Sequence, residues 1–166
     1  MIISIKQLVK LFMKKGLAVF LQVLVAVFGF GVLVFMLWEP NFEGRNAHAT
    51  LFEVYFKDPF LAYAYASSVA FFIGLFQVFK LLGLSGRGLL YSSYSVKSLQ
   101  IIKRCGIILA ILVFLPLLYL VIKRPGDDIA GGVFMGNLIL LGSISTVIIS
   151  SKLKKFVEKK MTGGGE

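Results

Sequence analysis

Six residues concentrate the side-chain chemistry of this chain: Glu39, Glu43, Arg45 and His48 in one polar segment, and Asp127 and Asp128 in another. Carboxylates with an imidazole could form a divalent-cation or small-ligand site, for which Glu43, His48, Asp127 and Asp128 are the candidates. The same residue types make a simpler structure. Acids and Arg at helix ends usually form caps and ion pairs, and a guanidinium fork grips a carboxylate in two places. A network tying the two segments together is therefore the preferred reading, with Arg45 bonded to Asp127, Asp128 or Glu43. Catalysis finds little support: no nucleophile–base pair and no metal-protease spacing is visible. Cys105 is the single cysteine. Without a Cys/His cluster, zinc and thiol chemistry have no basis, and Cys105 reads as a small apolar residue packed at a helix end. No catalytic residue, metal or cofactor is expected.

The elements that must hold these groups are four uncharged apolar runs, 16–38, 59–79, 105–122 and 133–150. At about 1.5 Å per residue each spans roughly 27–35 Å, the thickness of a bilayer's hydrocarbon core. The chain of 166 residues is 58% hydrophobic, above the roughly 45–50% of soluble domains. Outside the runs no segment could bury a core of its own. One all-α integral membrane domain, a four-helix bundle of up-down connectivity, is the expected fold.

The net charge of +10 would suggest nucleic acid in a soluble protein, but its placement says otherwise. The segment before the first run, the loop between the second and third, and the segment after the fourth fall on one side. They hold 14 Lys and Arg against 2 acids, while the two loops opposite hold 4 against 6. The positive-inside rule then puts both termini in the cytoplasm. Anionic lipid headgroups attract such residues by about 1 kcal/mol each, so the basic excess needs no direct nucleic-acid contact. A signal peptide is a poor reading of the first run, which is longer than the usual apolar core of one. The Ala47-His48-Ala49 triplet also lies well past its end.

Residues 2–15 put Ile5, Leu8, Val9 and Phe12 on one helical face and Lys6, Lys10 and Lys14 on another. This is the pattern of an amphipathic helix on the inner membrane surface or of an extension of the first span. Trp38, Phe52, Tyr55, Phe60, Tyr63 and Tyr65 form the aromatic belt of the outer interface. Asp58-Pro59 is a helix start. Gly83, Gly86 and Gly88 should end the second helix and leave a turn. Ser95 reads as an N-cap for a cytoplasmic helix, 95–104, continuous with the third span, in which Pro116 removes one backbone bond.

Within the spans the polar residues are few and none is ionisable, which argues against proton-coupled or ion-coupled transport. Gln22 and Gln77 stand near the inner ends of adjacent spans, where an amide would hydrogen-bond across the helix pair. Gly132 and Gly136 form a small-xxx-small pair suited to close helix packing, within the monomer or in a homo-oligomer.

At Trp38-Glu39-Pro40, Glu43-Gly44-Arg45-Asn46, Asp58-Pro59-Phe60, Ser95-Val96-Lys97-Ser98-Leu99 and Gly131-Gly132-Val133 the chain resembles the small bacterial membrane proteins catalogued as domain of unknown function 2975. The resemblance covers nearly the whole chain. It implies four spans, a helix leading into the third, a bacterial inner (plasma) membrane, and no catalytic residue to carry over. Members of that group often stand beside small helix-turn-helix regulators, which implies a basic inner surface able to hold a regulator at the membrane. The expected function is a non-enzymatic, partner-binding or scaffolding membrane protein. The alternative is a small transporter or channel subunit acting as an oligomer.

Overall fold

A computed structural model describes residues 14–42, 59–123 and 130–163. These form four helices: α1 (Lys15–Phe42), α2 (Pro59–Gly86), α3 (Ser93–Lys123) and α4 (Ala130–Met161). Their 28 to 32 residues make rods of about 42–48 Å, longer than a hydrocarbon core. Each contains a span long and apolar enough to cross a membrane. Phe20, Phe30, Phe76, Phe114 and Ile149 point outward along them. Water would not support so large an apolar surface, whereas lipid solvates it and leaves the helices to satisfy their own backbones. The chain is a multi-pass membrane protein.

Three antiparallel seams join the helices in sequence order. Along α1 and α2, Met36 meets Tyr65, Phe28 meets Phe71 with ring centres 6.2 Å apart, and Gln22 meets Phe79. Along α2 and α3, Tyr63 meets Leu112, and a Cβ added to Gly74 would lie 3.4 Å from Cys105. Along α3 and α4, Leu117 lies against Gly136, and Gly106 against Val147 and the Ser143 carbonyl. Small residues sit at all three seams because van der Waals approach, rather than exclusion of water, holds helices together in lipid. Among the described residues α1 and α4 form no comparable seam.

Lys15, Gly86, Ser93 and Met161 therefore gather at one end, the basic end. There the packing changes. Leu81, Leu90, Leu99, Ile102 and Val157 form a buried cluster, flanked by Val78, Tyr91, Val96, Leu153 and Phe156. It draws on α2, the 87–92 turn, α3 and α4.

Two local expectations are corrected at this end. The second helix continues past the apolar run and ends within the glycine run, at Gly86, but Gly83 lies inside the helix and not in the turn. Both glycines face α1: an added Cβ would lie 2.8 Å from the Gln22 amide at Gly83, and 2.8 Å from the Ala18 Cβ at Gly86. The turn belongs to Gly88, whose φ of 74° is left-handed. The Leu89 N–H donates to the Leu84 carbonyl at 2.9 Å and the Gly88 N–H to the Ser85 carbonyl at 3.0 Å, the paired bonds of a Schellman cap. The N-cap of α3 is Ser92, not Ser95. Ser92 Oγ accepts the Ser95 N–H at 3.4 Å, while the Ser95 hydroxyl donates to the Leu89 carbonyl at 3.2 Å. From Ser93, α3 continues without a break to Lys123.

Candidate functional site

The basic end is built as a head rather than as a frayed set of helix tails. Leu99 and Val157 are sealed, at 2% and 0% exposure. Tyr91 and Phe156 bring their rings to 6.4 Å across the turn and α4. The 87–92 turn is fixed at both ends by the caps described above. Ser95, fully buried, keeps its hydroxyl on the Leu89 carbonyl. A polar atom in that position would otherwise cost about 1–3 kcal/mol.

The outside of this head is cationic. Lys80, Arg87, Lys97, Arg104, Lys155 and Lys159 are exposed around it. Among the described residues the acid at this end is Glu158, and it is engaged with Lys154 at 3.5 Å, one helical turn away. The first turn of α3 carries no acid, so the positive end of its dipole adds to the lysine field instead of being offset. Such a surface can bind anionic headgroups or an acidic protein.

The outer network expected from the sequence cannot be placed: Glu43, Arg45, His48, Asp127 and Asp128 lie outside the described residues, as does the 2–13 segment. Glu39 belongs to the last turns of α1. The helix-packing residues are placed. Gln22 reaches across to α2, but its amide donates to the Phe79 backbone carbonyl at 3.1 Å and not to Gln77, which is half-buried two residues away. Gly136 meets Leu117, whereas an added Cβ on Gly132 would find nothing within 4 Å. The pair therefore divides into one contact residue and one open residue.

Two residues read as interfacial aromatics have a more specific use. Pro116 has no N–H, so the carbonyl four residues back, that of Leu112, loses its helical donor. The Tyr63 hydroxyl supplies one at 2.7 Å. Pro40 does the same to the Met36 carbonyl in α1, and the Tyr65 hydroxyl donates there. Two residues apart on α2, the tyrosines point to opposite sides and serve both neighbouring helices. Each donates to a carbonyl that a proline leaves without its helical donor. Several other span residues turn inward on their own helices: Ser143 to Ile139, Thr146 to Gly142, Ser150 to Thr146 and Asn137 to Val133.

Residues 46–158 match the family described as protein of unknown function (DUF2975). The chain belongs to the DUF2975 family. The matched segment takes in α2, α3 and α4 nearly to its end, and with them every residue of the buried cluster; α1 lies before it. The DUF2975 segment thus coincides with the three helices that build the head. The chain is also similar to the uncharacterized membrane protein YoaS of Bacillus subtilis (strain 168), 25% identical over 150 residues, which is 89% of this chain and 92% of YoaS. No solved structure matches.

Proposed function

We propose that this DUF2975 protein is a non-enzymatic bacterial inner-membrane protein, with both termini cytoplasmic, that holds a protein partner at its basic end. The observation that carries this reading is the construction of that end. Orientation in the membrane needs only lysines near the span ends, and attraction to anionic lipid needs no fixed shape. A sealed core, a double-bonded cap and a buried serine that pins the turn keep a cationic surface in one geometry, which is what recognition of a partner requires. The charge asymmetry across the spans supports a cytoplasmic head, and the bacterial source of YoaS supports the inner membrane. The absence of a nucleophile–base pair from the sequence supports a binding role over catalysis.

The test is photo-crosslinking in cells from benzoylphenylalanine placed at Lys97, at Lys155 or at the lipid-facing Ile148. The expected result is a discrete protein adduct from the two basic-end positions and lipid alone from Ile148. The adduct should vanish when Lys155 and Lys159 are changed to Glu. Lipid adducts alone at all three positions would overturn the reading. A second reading, a channel or transporter subunit working as a homo-oligomer, draws on the lack, among the described residues, of a seam between α1 and α4 comparable to the other three. It requires self-adducts along α1 and α4 instead.

A further inference from the structure

Lipid accounts for the exposed apolar side chains along the spans, but not for three at the basic end. Leu89, Tyr94 and Met161 are 52%, 64% and 44% exposed. The apolar run of α4 ends at Ser150, and the eleven residues from there to Met161 add about 16 Å of helix. The headgroup layer on each face of a bilayer is only about 5–8 Å deep. The start of α3, twelve residues before Cys105, stands off by a similar roughly 18 Å, and the antiparallel seams keep it beside the end of α4. The ends of α3 and α4 thus reach beyond the headgroup depth, and Leu89, Tyr94 and Met161 stand at that end of the head, beside Leu90, Ser95 and Val157 of its buried interior.

Their surroundings select the occupant. Tyr94 and Lys97 are three residues apart and share a face of α3. Arg87 stands two residues before Leu89, and Lys160 precedes Met161; all three cations are exposed. The last-turn lysines of α4 complement their own helix dipole, but Lys97 lies toward the positive end of α3, where that account fails. The nearest described acid, Glu158, is already paired. Exposed apolar side chains interspersed with cations of one sign, on and beside a fixed turn, are complementary to an acidic surface with an apolar anchor.

We infer that the tip formed by Leu89, Tyr94 and Met161 docks an acidic, amphipathic protein segment in the water layer, clear of the lipid headgroups. This rests on the partner-binding reading above and names the surface and the chemistry of the partner. Tyr94 and Leu89 supply apolar anchorage. Arg87, Lys97 and Lys160 pair with carboxylates around it.

The full chain in nanodiscs of pure phosphatidylcholine provides the test, with two fluorescent synthetic peptides of identical composition as probes. One is a Glu/Leu sequence with its leucines on a single helical face, the other the same residues scrambled. Binding is read by anisotropy. The amphipathic peptide should bind about tenfold more tightly than the scrambled one. Tyr94→Ser, Leu89→Ser and Lys97→Glu should each weaken it several-fold, while Lys152→Glu, nearer the lipid, should change it little. Equal binding of the two peptides, or indifference to Tyr94→Ser and Leu89→Ser together, would overturn the proposal. So would a Tyr94→Cys spin label, in a Cys105→Ser chain, that is buried among acyl chains in nanodiscs containing phosphatidylglycerol. Any of these, with crosslinks retained at Lys155, would refute the tip as the docking centre and leave partner binding at the basic end standing.

Discussion

Along the apolar runs, Phe76, Phe114 and Ile149 face outward, and the helices touch through glycine. At the basic end, Leu99 and Val157 are sealed from solvent and serine hydroxyls tie down a turn. The contrast follows from the solvent. In lipid there is no gain from burying a leucine, so helices associate through close approach and backbone satisfaction. In water, burial of apolar surface is the main source of stability. One chain uses both, and the change of regime falls beyond the apolar runs of α3 and α4.

Leu99→Ala should therefore give the largest loss. Truncating a sealed leucine in a water-facing core costs about 2–5 kcal/mol, whereas Ile148→Ala on the lipid face should cost far less. Unfolding by SDS in mixed micelles, followed by circular dichroism, measures both. Similar costs for the two would erase the distinction between the regions.

Next is the glycine seam. A Cβ on Gly106 would lie 2.9 Å from Val147 and 3.3 Å from the Ser143 carbonyl, while Gly142 has nothing within 4 Å. Gly106→Leu should cost about 1–3 kcal/mol by overpacking, and Gly142→Leu close to nothing. Gly136→Leu should fall between them, because the Leu117 side chain can move aside. Equal tolerance of Gly106→Leu and Gly142→Leu would show that the seam is not a close contact.

The tyrosine caps sharpen the account of the lipid region. Tyr63→Phe leaves the Leu112 carbonyl without a donor, at a cost of about 0.6–2 kcal/mol. In a Pro116→Ala chain the helix regains its own N–H at that carbonyl, so Tyr63→Phe should cost much less there. The two changes should be non-additive in a double-mutant cycle; additivity would mean that Tyr63 contributes only as an aromatic. The smallest expected effect is at the turn. Ser92→Ala should cost about 0.5–2 kcal/mol, typically near 1, as loss of an N-cap. The readout is faster amide exchange in the first turn of α3, and unchanged exchange would return the cap to another residue.

The four helices were legible because hydropathy over some twenty residues reports the solvent directly. Their ends were legible only in part: α2 starts at Pro59 as the sequence indicates, but the turn and cap after it are placed differently. Gly83 and Gly86 read as helix terminators, since glycine's missing Cβ serves a turn and a close helix contact equally well. Only the position of α1 separates the two uses. In Tyr91-Ser92-Ser93-Tyr94-Ser95 three serine hydroxyls compete for one cap, and the backbone of the preceding turn decides among them. The proline at 116 announced an orphaned carbonyl, but its partner lies 49 residues away, at a register the sequence does not state. The basic end was legible as charge and not as shape: nothing in the lysine count foretells that Val157 and Leu99 close a core beneath it.

The central claim, a membrane-embedded middle carrying a cytoplasmic head, is tested most directly by single cysteines in a Cys105→Ser chain, probed with a membrane-impermeant maleimide. Tyr94→Cys and Lys155→Cys should react in inverted membrane vesicles and not in intact cells. Gly126→Cys should do the reverse, and Phe114→Cys and Ile148→Cys should react in neither. Labelling of Tyr94→Cys from outside intact cells, or of Phe114→Cys from either side, would contradict it.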